Sequence, residues 1–303
     1  MPSVSLLVPM HNRARYIANL LAEAARQTES FDEIICFDDG STDDCSRIAE
    51  SHGARVLRGE VPRGPSHARN VLLAAAQSDF VHFHDDDDPL FPDFLRKMKP
   101  HAIAGAVAVV ISSFDEIRGD GRRTHHVFEA SIASSPFDLV FKRYVHVNAM
   151  LIDRNLALQA GGFDESLTLC EEKDFLLKLL VHGARVQIVE ETLAEWRRVG
   201  ESSFMESQGW TGAAAMLRKF ACNAAALLPA HTLPLLEDYV MRCSYQYYHA
   251  DQRTLRELRL MFSELARKGI RPSRGLGWKA HLFSRIFGPT QMLVMRRLWS
   301  QIR

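Results

Sequence analysis

The sequence predicts an α/β fold with a largely parallel sheet, followed by a helical C-terminal region. Over the first 200 residues, short β-branched runs alternate with helical stretches, the order in which helices connect parallel strands. Beyond residue 200 the strand signals end, and proline and glycine separate four helical stretches. We therefore expect an α/β domain over residues 1–203 and a helical region over residues 204–303.

The individual elements follow from hydrophobic runs and from helix-end signals. The first buried strand is predicted at 4–8, and Asn12 is a candidate N-cap for a helix at 14–27. The GDGRR stretch predicts a loop or hairpin over 115–128. Further strands are predicted at 33–37, 55–57, 80–83, 106–111 and 145–152, with two short strands in 185–196. Further helices are predicted at 46–52, 66–77, 171–181, 213–228, 233–249, 254–268 and 278–302.

Composition excludes several classes of protein. The chain has 303 residues, 47% of them hydrophobic and 24% charged, which excludes disorder as the main state. The 37 basic and 37 acidic residues cancel, so the total charge gives no reason to expect nucleic-acid binding. Five scattered cysteines without a C-x-x-C pair predict reduced thiols in a cytoplasmic protein.

Neither a signal peptide nor a membrane span is expected. The first apolar run follows no basic segment. The longest apolar stretch, 102–111, is about half the length that a membrane-spanning helix needs.

Two acidic residues follow the second predicted strand. Asp38 and Asp39 enter a turn that contains Gly40. Open α/β sheets bind ligands at the carboxyl ends of their strands, where a carboxylate can accept a hydrogen bond from a nucleobase imide or a ribose hydroxyl. The alternative is an Asx-rich turn that caps the next helix.

Four consecutive aspartates, Asp85 to Asp88, follow the strand at 80–83. Their mutual repulsion is most simply offset by a divalent cation, and oxygen ligands suit Mg²⁺ or Mn²⁺. Asp85 and Asp87 lie on one side of an extended segment. The alternative is a polar loop without a ligand.

A third acidic group opens the helix at 171–181. Glu171 and Glu172 stand in its first turn, where the helix dipole alone favours negative charge. The functional interpretation is a general base that deprotonates a hydroxyl nucleophile.

The order and spacing of these motifs resemble those of the inverting family 2 glycosyltransferases, which have the GT-A fold. The resemblance covers roughly residues 3–203. The matching motifs are VPMHN at 8–12, DDGSTD at 38–43, GPSHARN at 64–70, DDDD at 85–88, GGFDE at 161–165, EE at 171–172 and WR at 196–197.

The resemblance implies a nucleotide-diphosphate sugar donor, most simply a UDP-sugar, a Mn²⁺ or Mg²⁺ cofactor and a hydroxyl acceptor on a glycan or a lipid-linked glycan. It also implies inversion at the anomeric carbon and a role in cell-surface polysaccharide or glycolipid assembly. Asp87 and Asp85 are the implied metal ligands, and Glu172 is the implied base, with Glu171 as the alternative. The implied donor-binding residues are Pro9, Asn12, Asp38, Asp39, Arg69, Asn70 and Asp85.

The sequence departs from the family pattern at two motifs. The family's E-D pair is Glu171-Glu172 here, so a glutamate stands where the usual base is an aspartate. The family's Y-R-x-H motif ends on Val199 here, so its histidine is missing. Arg197 or Arg198 is a candidate for neutralising phosphate instead.

Two other functions remain open: a metal-dependent nucleotidyl or phosphoryl transferase, and a non-catalytic nucleotide-sugar-binding module. Two polar residues outside the motifs have plainer interpretations. His82, on an apolar strand, is predicted to be structural. Asn148 either faces the acceptor or satisfies backbone groups.

The C-terminal segment is strongly basic. Residues 265–303 contain nine Lys or Arg and no Asp or Glu, interleaved with aromatic and aliphatic residues. This pattern suits a helix on an anionic membrane surface, and equally a packed helix with a solvated basic face. The first interpretation predicts a cytoplasmic protein that binds peripherally to the inner membrane face.

Overall fold

A computed structural model describes residues 1–103, 105–198, 204–246 and 251–270. They belong to two compact units. The first lies within Met1–Val140, Tyr144–Ser166 and Glu171–Ser203, and the second within Phe141–Arg143, Leu167–Cys170 and Phe204–Arg303.

The strands are β1 Val4–Met10, β2 Glu33–Asp39, β3 Arg55–Gly59, β4 Phe80–Phe83, β5 Val109–Arg118, β6 Arg123–His126, β7 Met150–Asp153 and β8 Val186–Arg198. The helices are α1 Ala14–Ala25, α2 Cys45–Ser51, α3 Pro65–Ala75, α4 Phe94–Met98, α5 Phe137–Phe141, α6 Arg154–Gln159, α7 Glu171–Val181, α8 Phe204–Leu227, α9 Leu233–Gln246 and α10 Gln252–Arg267. Short 3₁₀ turns occupy Lys99–His101, Ala130–Ser134, Val147–Ala149 and Ala230–Thr232.

All eight strands form one mixed sheet with the order β3-β2-β1-β4-β7-β5-β6, and β8 pairs with β5. The pairs β1–β2, β1–β4 and β2–β3 are parallel. Strand β7 is antiparallel to both β4 and β5. The predicted α/β class is therefore confirmed, and the carboxyl ends of β1, β2 and β4 lie at one edge of the sheet.

The core of the first unit forms around β1. Leu6, Leu7 and Val8 have no exposed surface, as expected for a central parallel strand that is covered on both faces. Helix α1 packs its face of Ile17, Leu20 and Leu21 against this sheet, and these residues have the i, i+3, i+4 spacing of an amphipathic helix.

Several sequence predictions differ from the structure. Asn12 is not the N-cap of α1, because the helix begins at Ala14 after Arg13 and the Asn12 side chain accepts from Thr42 N instead of from a helix N–H. The strand predicted at 145–152 starts only at Met150, after a 3₁₀ turn. The two strands predicted in 185–196 form one strand, β8, whose pairing with β5 shifts register near Ser113. Helices α4, α5 and α6 are absent from the predictions, and the loop or hairpin predicted over 115–128 is the β5–β6 hairpin.

The second unit is helical over its described residues. Arg218 of α8 forms ion pairs with Glu257 and Glu264 of α10 at 3.0 and 2.9 Å. Every helix in the described ranges is too short or too polar to cross a lipid bilayer. The helix predicted at 278–302, and most of the basic segment, lie outside the described residues.

Candidate functional site

The candidate site lies at the edge where β1, β2 and β4 end. The residues that follow these strands, 11–12, 40–43 and 84–88, meet there because the three strands are parallel. Strand β7 runs the opposite way beside β4, so residues 146–149, which precede β7, reach the same edge. Helix α7 adds Glu171 and Glu172 from its first turn.

Asp38 stabilises the turn that follows β2. Its carboxylate accepts a hydrogen bond from Ser41 N at 2.8 Å and another from the Ser46 hydroxyl. Burial raises the pKa of Asp38, but these hydrogen bonds outweigh burial and place that pKa below its ordinary value. Asp38 is thus an ionised carboxylate whose oxygens bind the protein's own turn.

Asp39 binds the backbone of the loop that precedes α3. Its Oδ1 and Oδ2 both accept from Arg63 N at 2.9 Å, and Oδ2 accepts from Gly64 N at 2.7 Å. Gly64 has φ 94°, a conformation that glycine adopts without steric cost. Asp39 therefore fixes the loop that leads into α3.

Asn12 connects the end of β1 to the turn after β2. Its backbone N–H donates to Ser41 Oγ at 2.9 Å, and its Oδ1 accepts from Thr42 N at 2.9 Å. Pro9 is half-buried in β1, opposite Phe37 of β2. Both residues therefore lie at the sheet edge where the sequence places the donor.

Arg69 is a buried cation among carboxylates. It is 3% exposed, its Nη2 donates to Asp85 Oδ1 at 2.8 Å, and its Nη1 lies 3.9 Å from Glu171 Oε1. Burial lowers the pKa of Arg69, but the surrounding carboxylates outweigh burial and raise it. Within the described residues, Nε and Nη1 of Arg69 have no hydrogen-bond partner, so two buried donors remain for an anionic ligand.

Asn70 binds the GGFDE loop rather than an open surface. Its Oδ1 accepts from Phe163 N at 2.8 Å and its Nδ2 donates to Phe163 O at 3.0 Å. A Cβ at Gly162 would lie 2.4 Å from Asn70 Oδ1, so the contact requires glycine at that position. Asn70 thereby joins α3 to the segment that leads into α7.

The four aspartates have unequal partners. Asp85 pairs with Arg69, and Asp88 accepts from Asn148 Nδ2 at 2.7 Å and from Arg197 N at 2.6 Å. Arg13 lies 3.2 Å from Asp86 Oδ1 and 3.6 Å from Asp87 Oδ2.

Burial and neighbouring negative charges both raise the pKa values of the aspartates. Burial raises the pKa of Asp86, Asp87 and Asp88, and neighbouring carboxylates raise each further. Asp86 Oδ2 is buried and has no hydrogen-bond partner in the described part of the chain. The group is short of positive charge, so it fits a divalent cation bound through oxygen.

His146 lies between the aspartates and the glutamates. Asp85, Asp88 and His146 offer ligand atoms that lie within 4.8 Å of one another. Nδ1 of His146 accepts the N–H of Asn148 at 3.3 Å, so a neutral imidazole carries its proton on Nε2. Nε2 lies 3.7 Å from Asp85 Oδ2 and 3.9 Å from Glu172 Oε1. Burial lowers the pKa of His146 to about 4. The His146 ring is therefore neutral and lies between the two carboxylates, beyond hydrogen-bond distance of either.

Glu172 is the more buried glutamate and has two donors. It is 7% exposed, its Oε2 accepts the Tyr144 hydroxyl at 2.7 Å, and its Oε1 accepts Val147 N at 3.2 Å. Burial raises the pKa of both glutamates, and the charge of Glu172 raises that of Glu171 further. A raised pKa is what a general base near neutral pH requires.

The model of the family described as "Glycosyl transferase family 2" matches residues 5–162, just over half of the chain. The chain belongs to glycosyl transferase family 2. The recognition made from the motifs is thus confirmed, and the acidic sheet edge lies within or close to the matched residues.

Relatives and solved structures agree with this membership. Succinoglycan biosynthesis protein ExoO of Rhizobium meliloti (strain 1021) is 27% identical over 203 residues, which cover 62% of this chain and 58% of that protein. The chain spans about three fifths of the length of the curated relatives it matches.

Two solved structures share the fold. The structure of S. aureus TarS 1–349 in complex with UDP-GlcNAc superposes with TM-score 0.76 at 19% identity, covering 99% of this chain and 92% of that one. Mannosyltransferase PcManGT from Pyrobaculum calidifontis, in complex with GDP-Man and Mn²⁺, gives TM-score 0.59 at 18% identity, covering 99% and 88%. The GT-A architecture expected from the motifs is therefore confirmed.

Within this family fold, the structure brings every predicted site residue to one edge, although several bind the protein itself. Sequence reasoning missed four contributors: Arg13, Asp88, Tyr144 and His146. Arg13 directly follows the VPMHN motif and Asp88 closes the aspartate run, so adjacency was the available signal. Tyr144 and His146 precede β7 outside any motif, and only the antiparallel strand brings them in. His82 is structural as predicted, since it is fully buried and Nδ1 contacts Met150 O at 2.8 Å.

Proposed function

We propose that this family 2 protein is an inverting glycosyltransferase that moves a sugar from a nucleotide-diphosphate sugar to a hydroxyl acceptor. One observation carries the proposal. A carboxylate group short of positive charge, the unpartnered donors of Arg69 and a buried glutamate with a raised pKa share one sheet edge. These are the requirements for holding a diphosphate and deprotonating an incoming hydroxyl.

The donor is assigned to the side of the edge formed by β1, β2 and α3. Asp39, Asp38, Asn12 and Pro9 are assigned to the nucleoside, and Arg69 is assigned to the diphosphate because its Nε and Nη1 have no hydrogen-bond partner among the described residues. Asn70 holds the adjacent loop in place. We favour UDP as the nucleotide, supported by the fold shared with a UDP-GlcNAc complex.

The cofactor is assigned to Mn²⁺ or Mg²⁺, with Asp87 and Asp85 as its ligands. When bound, the cation offsets the negative charge that develops on the departing diphosphate. Asp88 holds the aspartate segment in place through Asn148 and the backbone of Arg197. Nε2 of His146 lies 3.7 Å from Asp85 Oδ2 and 3.9 Å from Glu172 Oε1, so the imidazole separates the proposed metal ligand from the proposed base.

Glu172 is assigned as the base. It takes the acceptor's hydroxyl proton on a carboxylate oxygen while that hydroxyl oxygen attacks the anomeric carbon and the diphosphate departs from the opposite face. Single displacement inverts the configuration. Tyr144 and Val147 N–H fix the longer side chain that replaces the family's aspartate.

The acceptor is assigned to a growing glycan or a lipid-linked glycan, supported by the biosynthetic name of the ExoO relative. The basic residues of 265–303 would keep the enzyme at an anionic cytoplasmic membrane surface, where lipid-linked acceptors are found. The proposed boundary between the catalytic domain and this helical region is at residue 203.

The test is a transfer assay with a panel of nucleotide sugars, Mn²⁺ and glycan or lipid-linked acceptors. We expect release of a nucleoside diphosphate and loss of activity by about 100-fold or more in Glu172→Gln. Nucleotide binding should persist, because Glu172 faces the acceptor.

Glu171→Gln is the matched control and should lose less activity. Full activity in Glu172→Gln would overturn the base assignment. Release of pyrophosphate or phosphate would instead indicate a nucleotidyl or phosphoryl transferase. Binding of UDP and Mn²⁺ without turnover of any donor would indicate a non-catalytic binding module.

A further inference from the structure

Arg13 has a position that neither the motifs nor the proposed reaction explains. It is the N-cap residue of α1, immediately after the VPMHN motif, and its side chain caps no helix N–H. Its guanidinium instead faces the aspartates, with Nε 3.2 Å from Asp86 Oδ1 and Nη2 3.6 Å from Asp87 Oδ2.

Arg13 is the cation that serves the middle of the aspartate run. Arg69 pairs with Asp85, and Asp88 has the Asn148 amide and a backbone N–H. Among the residues that the structure describes, no other Lys, Arg or His lies within 4.0 Å of a carboxylate oxygen of Asp86 or Asp87.

The Arg13 guanidinium alone does not balance the charge of the Asp86 and Asp87 carboxylates. Asp86 is 6% exposed, and its Oδ2 has no hydrogen-bond partner in the described ranges although it lies beside three other carboxylates. Two negative charges therefore share one positive charge where burial weakens solvent screening. A divalent cation at Asp87 would supply the missing charge, but it would approach the oxygen that Arg13 already faces.

We propose that Arg13 is a built-in competitor of the divalent cation: its guanidinium occupies the Asp86–Asp87 pair, and metal binding at Asp87 displaces it. The inference rests on the metal site of the proposed function. Arg13 lowers the affinity of the protein alone for the metal, so that strong binding requires the additional phosphate oxygens of the donor.

The test is a Mn²⁺ titration of the full chain, followed by the loss of the six-line EPR signal of free Mn²⁺. Arg13→Gln removes the charge and keeps a polar side chain. We expect the Kd for Mn²⁺ to fall by about tenfold, because the carboxylates no longer have a competing cation.

Arg15→Gln is the matched control. Arg15 belongs to the same helix, stacks on Tyr16 at 4.5 Å, and has no ion pair with a carboxylate within the described part of the chain. Arg15→Gln changes the net charge by the same amount as Arg13→Gln but removes no cation from the aspartates. The Kd of Arg15→Gln for Mn²⁺ should therefore remain near the wild-type value. Arg13→Lys keeps a cation at the site and should stay closer to wild type than Arg13→Gln does.

An unchanged or weaker Mn²⁺ affinity in a folded Arg13→Gln protein, checked by circular dichroism, would overturn the proposal. Equal tightening in Arg15→Gln would also overturn it, because total charge would then explain the effect. If Arg13→Gln does not fold, Arg13→Lys decides the question. Wild-type Mn²⁺ affinity in Arg13→Lys supports displacement, because lysine keeps the competing positive charge. A tenfold gain in Mn²⁺ affinity in Arg13→Lys contradicts displacement. The titration requires no sugar donor or acceptor, so its result is independent of whether the protein has transfer activity.

Discussion

At the scale of single residues, burying the aspartate run lowers the stability of the protein at neutral pH. Asp86 is a buried carboxylate whose pKa burial raises well above the ordinary value. The native state therefore holds the proton more tightly than the unfolded chain does. The stability that the protonated form contributes is present at low pH and is lost as pH rises through the native pKa.

We predict that Asp86→Asn stabilises the protein at neutral pH. Asparagine does not ionise, so it avoids the cost of a buried negative charge, and the Tm difference from wild type should grow as pH rises from 4 to 7. Each kcal/mol gained in the free energy of unfolding should raise Tm by about 2 to 4 °C. Thermal melts in EDTA measure it. A difference that stays constant or shrinks over this range would contradict the raised pKa.

Tyr144 is predicted to be a positioning residue for Glu172. Its hydroxyl donates to Glu172 Oε2 at 2.7 Å, and a hydrogen bond to a charged group contributes about 1.5 kcal/mol or more. Tyr144→Phe should lower kcat by about tenfold and leave KM for the donor unchanged.

A double-mutant comparison separates positioning from a structural role. If Tyr144 acts through Glu172, adding Tyr144→Phe to Glu172→Gln should lower the residual rate no further. A further loss of the full single-mutant size would show that Tyr144 supports the site in another way.

At the scale of elements, the sequence predicts the ends of the parallel strands but not the conformation of the segment that precedes β7. The parallel strands β1, β2 and β4 follow from apolar runs, and their ends carry the acidic motifs that define most of the site. The segment 145–149 is buried and apolar enough to resemble a strand, yet Val147–Ala149 form a 3₁₀ turn, in which Val147 N–H donates to Glu172 and the Asn148 side chain binds Asp85 N and Asp88. Those partners are 25 to 63 residues distant in sequence, so no local pattern records them.

The contact between α3 and the GGFDE loop gives a prediction about two neighbouring glycines. A Cβ at Gly162 would lie 2.4 Å from Asn70 Oδ1, whereas a Cβ at Gly161 meets nothing within 4 Å. Both have positive φ, so alanine at either position costs about 1 to 2 kcal/mol of backbone strain.

Gly162→Ala should therefore lower the free energy of unfolding more than Gly161→Ala does. The difference between the two variants should be about 1 to 3 kcal/mol, because only Gly162→Ala disrupts the Asn70 hydrogen bonds. Urea denaturation measures both variants. Equal losses would mean that the Asn70 contact adds nothing to stability.

At the scale of the whole molecule, the neutral total charge hides a division along the chain. Residues 1–200 contain 22 basic and 30 acidic side chains, a net charge of −8, and residues 201–303 contain 15 and 7, a net charge of +8. The acidic excess includes the carboxylates of the candidate site. The basic excess is concentrated toward the C-terminus and has no role in the proposed chemistry.

We predict that the full chain binds anionic vesicles and not neutral ones. In a flotation assay it should rise with vesicles containing phosphatidylglycerol at low salt, and binding should weaken as salt increases, because screening shortens the reach of the basic residues. Protein that remains at the bottom with anionic vesicles at low salt would contradict membrane docking.

The bonds around Asp88 also bear on how the protein is synthesised. Asp88 receives its hydrogen bonds from Asn148 and Arg197, which are 60 and 109 residues further along the chain. A ribosome therefore releases all four aspartates long before the last of these partners emerges. Arg13 and Arg69 precede the aspartates and can pair with Asp85, Asp86 and Asp87 early, but Asp88 lacks its full set of hydrogen-bond donors until β8 joins the sheet. The Asp88 carboxylate is therefore fixed late, and in truncated products that end before β8 it lacks the hydrogen bond from Arg197 N.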